Sequence, residues 1–162
     1  SIYESVNNDI NLDCINSYLY ENLKNPHKLH ETPVLIGFCI YFKRSALNEI
    51  GFFDAKTFKR GYGEEIDWCL RARAKGYKLI ISEGAYVYHV GGTSFGNEKK
   101  ELIDNASKII DNKYPNYMQE LNYYIRNHPL YRMRVQMSSY FKIPLKHRIR
   151  YKLKHKKNKW FA

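Results

Sequence analysis

The spacing of apolar residues along the chain changes repeatedly, and each change predicts a different element. Residues 1–31 are polar and rich in Asn, but Ile10, Leu12, Ile15, Tyr18, Leu19 and Leu23 fall at helical spacing, which predicts a weak helix ending near Asn25-Pro26. From Pro33 to Phe42 the chain is continuously apolar, β-branched and aromatic, the pattern of a central strand buried on both faces. Lys43-Arg44-Ser45 then opens a short helix through Ala46, Leu47 and Ile50 that Gly51 stops, followed by a turn around Phe53-Asp54.

The next segment, Gly61 to Gly76, carries glycines before it, the acids Glu64, Glu65 and Asp67 in its first turn, bases in its last turn and Gly76 at its end. Each is a helix boundary signal. Ile66, Cys69, Leu70 and Ala74 share one face of that helix, and Asp67 and Arg71 make an i,i+4 pair. A strand from Tyr77 to Ile81, a turn at Glu83-Gly84 and a second extended piece from Ala85 to Val90 follow. Leu102, Ile103, Ala106, Ile109 and Ile110 then predict helix over 98–126, broken at Tyr114-Pro115. Strands alternating with helices in this order suit an α/β sheet.

Charge adds a division to this picture. The net charge of +11 is not spread evenly: 11 Lys or Arg and no acid fall between Tyr131 and Ala162, so the other 16 bases balance all 16 acids before that point. The expected organisation is therefore a body over residues 1–126 and a basic amphipathic C-terminal extension over 127–162. The extension has three readings: a solvated terminus, contact with an anionic membrane surface, or nucleic acid. Tyr140, Phe141, Ile143, Leu145, Ile149, Leu153, Trp160 and Phe161 among the bases favour the membrane over a purely electrostatic partner. No apolar run approaches the roughly 18–20 residues of a bilayer span. Cys14, Cys39 and Cys69 form no CxxC pair, an odd number that fits a reducing, cytoplasmic compartment.

Candidate chemistry gathers at two places. Glu64 and Glu65 follow Gly63 at a helix start, where an exposed loop lets a substrate approach; the acids either stabilise the helix through its dipole, or one of them takes a proton from an attacking hydroxyl. His89 stands at a strand end before Gly91-Gly92, as a hydrogen-bonded structural group or as one ligand of a Mg²⁺ or Mn²⁺ site that would otherwise need oxygen ligands. Trp68 and Phe95 are either core or sugar-stacking rings.

Taken together, the order Gly37-Phe38-Cys39, Lys43-Arg44, Ile50-Gly51-Phe52-Phe53-Asp54, Gly63-Glu64-Glu65-Ile66-Asp67-Trp68-Cys69-Leu70-Arg71-Ala72, Gly76-Tyr77 and Val87-Tyr88-His89-Val90-Gly91-Gly92-Thr93-Ser94 resembles the second half of bacterial family 2 glycosyltransferases, including rhamnosyltransferase-like members. The resemblance spans residues 32–95 closely and the flanking residues 1–31 and 96–126 loosely.

The resemblance implies α/β architecture: a partial GT-A-like (nucleotide-diphospho-sugar transferase) sandwich with a mainly parallel sheet, C-terminal helices and the basic tail. The family's Glu-Asp pair falls on Glu64-Glu65, which implies Glu65 as the catalytic base, with Glu in place of the usual Asp. Gly63, Trp68 and Phe95 are implied on the acceptor side, and His89 as a contributor to a Mn²⁺ or Mg²⁺ site left incomplete without the family's Asp-x-Asp. Asp67 and Arg71 are implied to orient the helix.

The implied partners are a nucleotide-sugar donor and a glycan or lipid-linked acceptor at the inner face of the cell membrane, with no nucleic acid. Inactivity of this portion alone is expected, as is homodimerisation through an exposed sheet edge. The competing classes are a non-catalytic α/β module docking on membrane or nucleic acid, and a metal-dependent hydrolase using Glu64, Glu65 and His89.

Overall fold

A computed structural model of the 162-residue chain describes residues 12–22, 28–58, 62–87, 89 and 98–141. Along them run helix α1 (Leu12–Asn22), strand β1 (Leu29–Glu31), helices α2 (Arg44–Ile50), α3 (Ala55–Phe58) and α4 (Glu64–Ala74), strand β2 (Ile80–Ser82), and helices α5 (Lys99–Lys113), α6 (Tyr117–Arg126) and α7 (Tyr131–Tyr140). The architecture is mixed α/β with a helical majority. Its described sheet is the pair β1–β2. Flanking hydrogen bonds from Thr32 N–H to Leu79 C=O and from Glu83 N–H to Lys28 C=O make the pair antiparallel, so the mainly parallel sheet expected above is not what these residues form.

The helix ends follow the local signals. Gly51 closes α2 at φ 88°, donating its N–H to Leu47 C=O at 2.9 Å. After α4, Gly76 takes φ 85° while Tyr77 N–H reaches Ala72 C=O at 3.1 Å, the 6→1 bond of a Schellman ending. Tyr114, held out of helical conformation by Pro115, separates α5 from α6.

The predicted central strand over 33–42 does not form. Thr32 makes the last ladder bond; Pro33 then lacks an N–H, the chain turns at Gly37-Phe38, and no described neighbour supplies a second ladder. The segment is instead anchored at its ends. Val34, Leu35 and Phe42 pack against the buried cluster of Ala46, Trp68, Cys69, Ala72 and Leu79, and Leu35 N–H donates to Cys69 Sγ at 3.4 Å. The strand predicted over 77–81 is displaced to β2, and residues 85–87 and 89 have no regular structure.

Two compact units divide the chain. In one, Ile15, Tyr18 and Leu19 of α1 pack with Met137 of α7, flanked by Met133, Tyr86 and Phe141, and the Tyr18 ring lies 4.4 Å from that of Tyr140. The first part of the expected C-terminal extension is thus half of a helix pair with the N-terminal region. The physical reason is that Met133, Met137 and Phe141 recur at i,i+4 and make an apolar stripe that α1 covers. The other unit holds α2 to α6 and the candidate site.

Candidate functional site

Helix α4 is held by side chains that point away from its first turn. Trp68 is buried, donates its indole N–H to Gly51 C=O at 2.8 Å and meets the Phe42 ring edge-on at 4.6 Å. Arg71 donates to Ile50 C=O and Phe52 C=O, both at 2.9 Å, so the carbonyls of three consecutive residues at the C-terminal end of α2 are satisfied from α4. Trp68 is therefore a core residue with its polar handle spent, and its ring has no open face for the acceptor sugar that the resemblance implied.

Asp67 is fully buried and accepts three bonds: from Arg71 Nε at 2.7 Å, Lys113 Nζ at 2.5 Å and Tyr114 Oη at 2.8 Å. Burial by itself raises its pKa, but the donors from Lys113, Arg71 and Tyr114 outweigh it and hold the carboxyl below its ordinary value. Burial and the Asp67 carboxylate together push the Tyr114 hydroxyl well above its usual range. The predicted i,i+4 pair with Arg71 forms. Lys113 and Tyr114, about 46 residues away in sequence, carry no local mark of this role.

The entry to α4 is strained. Tyr62 sits at φ 67° and Gly63 at φ 91°. A β-carbon on Gly63 would come within 2.8 Å of the Phe58 ring and 3.1 Å of Ala106 Cβ, so Gly63 is required by backbone conformation and packing before any contact with substrate is considered. The two left-handed residues deliver Glu64 and Glu65 into the first turn of the helix.

Glu65 is half-buried beneath Gly37: a β-carbon at Gly37 would lie 3.7 Å from Cβ, Cγ and Cδ of Glu65. Desolvation raises its pKa, and the neighbouring Glu64 charge adds to the rise against the backbone bonds that oppose it. Oε2 of Glu64 is buried and has no hydrogen-bond partner among the described residues. His89 is exposed and stacks on Phe38, centroids 4.8 Å apart and planes 26° from parallel. Glu65 thus lies beside Gly37 and His89 stacks on the next residue, Phe38, so one turn lies near both candidates. Phe38 was not singled out from sequence, because inside an apolar run nothing distinguishes a ring that ends up outside.

Among the described residues no group of three or more His, Cys, Asp or Glu side chains is placed to hold a metal ion. His89 meets an aromatic ring where a cation site needs oxygen ligands, so these residues do not fit a complete Mn²⁺ or Mg²⁺ site. Phe95, the glycines at 91 and 92, and the tail over 142–162 lie outside the described residues. No described helix is long and apolar enough to cross a membrane.

No family model matches the chain. Uncharacterized proteins of Mycobacterium bovis and Mycobacterium tuberculosis are 34% identical to it over 87 residues, a stretch that covers 51% of this chain and 33% of theirs. The match therefore spans about a third of the length of those relatives. No solved structure matches.

Proposed function

We propose that this chain is the acceptor-side portion of an inverting, nucleotide-sugar-dependent glycosyltransferase of GT-A type, related to family 2, with Glu65 as the general base. The observation that carries the reading is the placement of Glu65: a half-buried carboxylate at a helix start, its pKa raised by desolvation, under a glycine whose neighbour stacks on His89. In the proposed step an acceptor O–H donates a hydrogen bond to the Glu65 carboxylate. As the oxygen bonds to the anomeric carbon from the face opposite the leaving group, the proton passes to Glu65. The bond from the anomeric carbon to the phosphate oxygen breaks, releasing nucleoside diphosphate and inverting the anomeric configuration. Asp67 and Arg71 have no part in the proton transfer; both are committed to holding α4.

A base raised by desolvation has a stability signature. A glutamate whose folded pKa lies above its unfolded value stabilises the fold when protonated, and that contribution falls as pH rises through the folded pKa. Replacing it with the neutral isostere should therefore not cost stability at pH 7. The test is Glu65→Gln, assayed by nucleoside diphosphate release over a panel of nucleotide sugars, in a form supplied with a nucleotide-binding half. Turnover should drop by ~10² or more while the melting temperature stays at or above wild type. Turnover near that of wild type in a folded variant would remove Glu65 as the base.

The basic C-terminal region fits an anionic lipid surface in this reading. Tyr131, Val135 and Tyr140 are exposed on α7 beside Arg132, and nine more Lys or Arg follow from Lys142 onward without an acid. Co-sedimentation should be strong with vesicles containing 30% phosphatidylserine and weak with phosphatidylcholine alone. Equal retention by both compositions would rule out the electrostatic contact.

A further inference from the structure

We infer that Phe38 is the ring on which the acceptor sugar stacks, and that His89 serves by backing that ring rather than by binding a metal. The inference rests on the transferase reading for the nature of the ligand, and on separate geometry for its place. An acceptor hydroxyl delivered to Glu65 needs a surface beside Glu65 that orients the rest of the sugar ring. Sugars offer a face of C–H groups, and flat aromatic surfaces are suited to it.

Of the aromatic residues considered from sequence, Trp68 is buried and hydrogen-bonded in the core. Among the exposed rings of this unit, Phe53 packs on Phe42, and none follows directly on the residue beside Glu65 as Phe38 does. Phe38 is 48% exposed and follows directly on Gly37, the residue that covers the Glu65 side chain. Its apolar neighbour Ile36, 55% exposed, flanks it on the same turn.

The stack with His89 explains how an exposed ring on an irregular turn is held in one orientation. At 4.8 Å and 26° the imidazole covers one face of Phe38, which leaves the ring's remaining surface to a ligand. Gly37 places the turn beside the base: a β-carbon built on it would lie at ordinary van der Waals distance, 3.7 Å, from the Glu65 side chain, so the residue next to it in sequence, Phe38, stands near Glu65. In this arrangement Phe38 is the contacting residue and His89 a positioning residue.

The test uses the 162-residue chain and saturation-transfer difference NMR with four methyl glycosides, of glucose, galactose, mannose and rhamnose. Protein aromatic protons are irradiated and transfer to the sugar C–H protons is read. Wild type should give transfer concentrated on one face of at least one glycoside. Phe38→Ala should reduce it at least fivefold, Phe38→Leu should restore little, and Phe38→Trp should retain it. His89→Ala should weaken it, and His89→Phe should restore it, because a flat ring suffices for backing whereas a metal ligand would be lost.

If turnover fails in Glu65→Gln but Phe38→Ala binds as wild type does, the platform is overturned and the base stands. Absence of transfer from wild type to all four glycosides overturns the platform, as does recovery by His89→Ala equal to that of His89→Phe.

Discussion

Replacing Asp67 tests the account of how α4 is held. Asp67→Ala removes an acceptor that is fully buried and takes bonds from Arg71, Lys113 and Tyr114 at 2.7, 2.5 and 2.8 Å. Hydrogen bonds to a charged group contribute about 1.5–3 kcal/mol each, and breaking a fully buried pair costs about 3–5 kcal/mol. Here the cations are not fully buried: the Arg71 and Lys113 side chains are 28% and 41% exposed, so both regain water when the carboxylate goes. Arg71 also keeps its two carbonyl acceptors. The expected loss is therefore about 2–4 kcal/mol, or a fall in melting temperature of roughly 5–15 °C for a chain of this size.

Asp67→Asn, which keeps an acceptor for Tyr114 but not the charge, should lose about 1–3 kcal/mol, and Tyr114→Phe about 1 kcal/mol. Thermal and urea melts followed by far-UV circular dichroism read these values. The pH dependence gives an independent check with a defined sign. The Asp67 pKa is lowered in the folded state, so its contribution is fully present above the unfolded value near ~3.9 and is lost as pH falls through the folded pKa. The gap between wild type and Asp67→Asn should hold from pH 7 to about 5 and close progressively below about pH 4. An Asn variant within ~0.5 kcal/mol of wild type at pH 7 would mean that the Asp67 charge does not hold α4, because it would then contribute nothing that water does not.

Two further outcomes follow from local geometry. Gly63→Ala places a β-carbon against the Phe58 ring at 2.8 Å and forces Ala to a positive φ, which should destabilise by about 2–4 kcal/mol; a melt unchanged from wild type would show that the turn into α4 relaxes freely. Thiol labelling of the native chain should show fast reaction at Cys14 and Cys39 and slow reaction at Cys69, whose thiol is buried and raised to about 11; three equal rates would mean that α4 opens on the labelling timescale.

How much of this was legible in the sequence depended on the range of the interaction involved. The helices α2, α4, α5 and α6 were readable because their ends are set by neighbours in the chain: Gly51 and Gly76 adopt left-handed conformations that few other residues accept, and Pro115 excludes helix at Tyr114. The acids at the start of α4 and the Asp67–Arg71 pair were readable for the same reason, since i,i+4 spacing alone brings the pair together.

What lay outside local reach was decided by the tertiary structure. An apolar run becomes a strand only if other segments pair with its backbone, and the residues from Pro33 to Phe42 find no second ladder among the described residues, so β propensity there yields an irregular segment pinned at its ends. The same turn moved Phe38 outward onto His89 and set Gly37 over Glu65, while packing took Trp68 inward. Local patterns were enough to mark the candidate residues and to place Glu64, Glu65, Asp67 and Trp68 on one helix. Which of them meet was decided by contacts between segments distant in the chain, where no local preference acts.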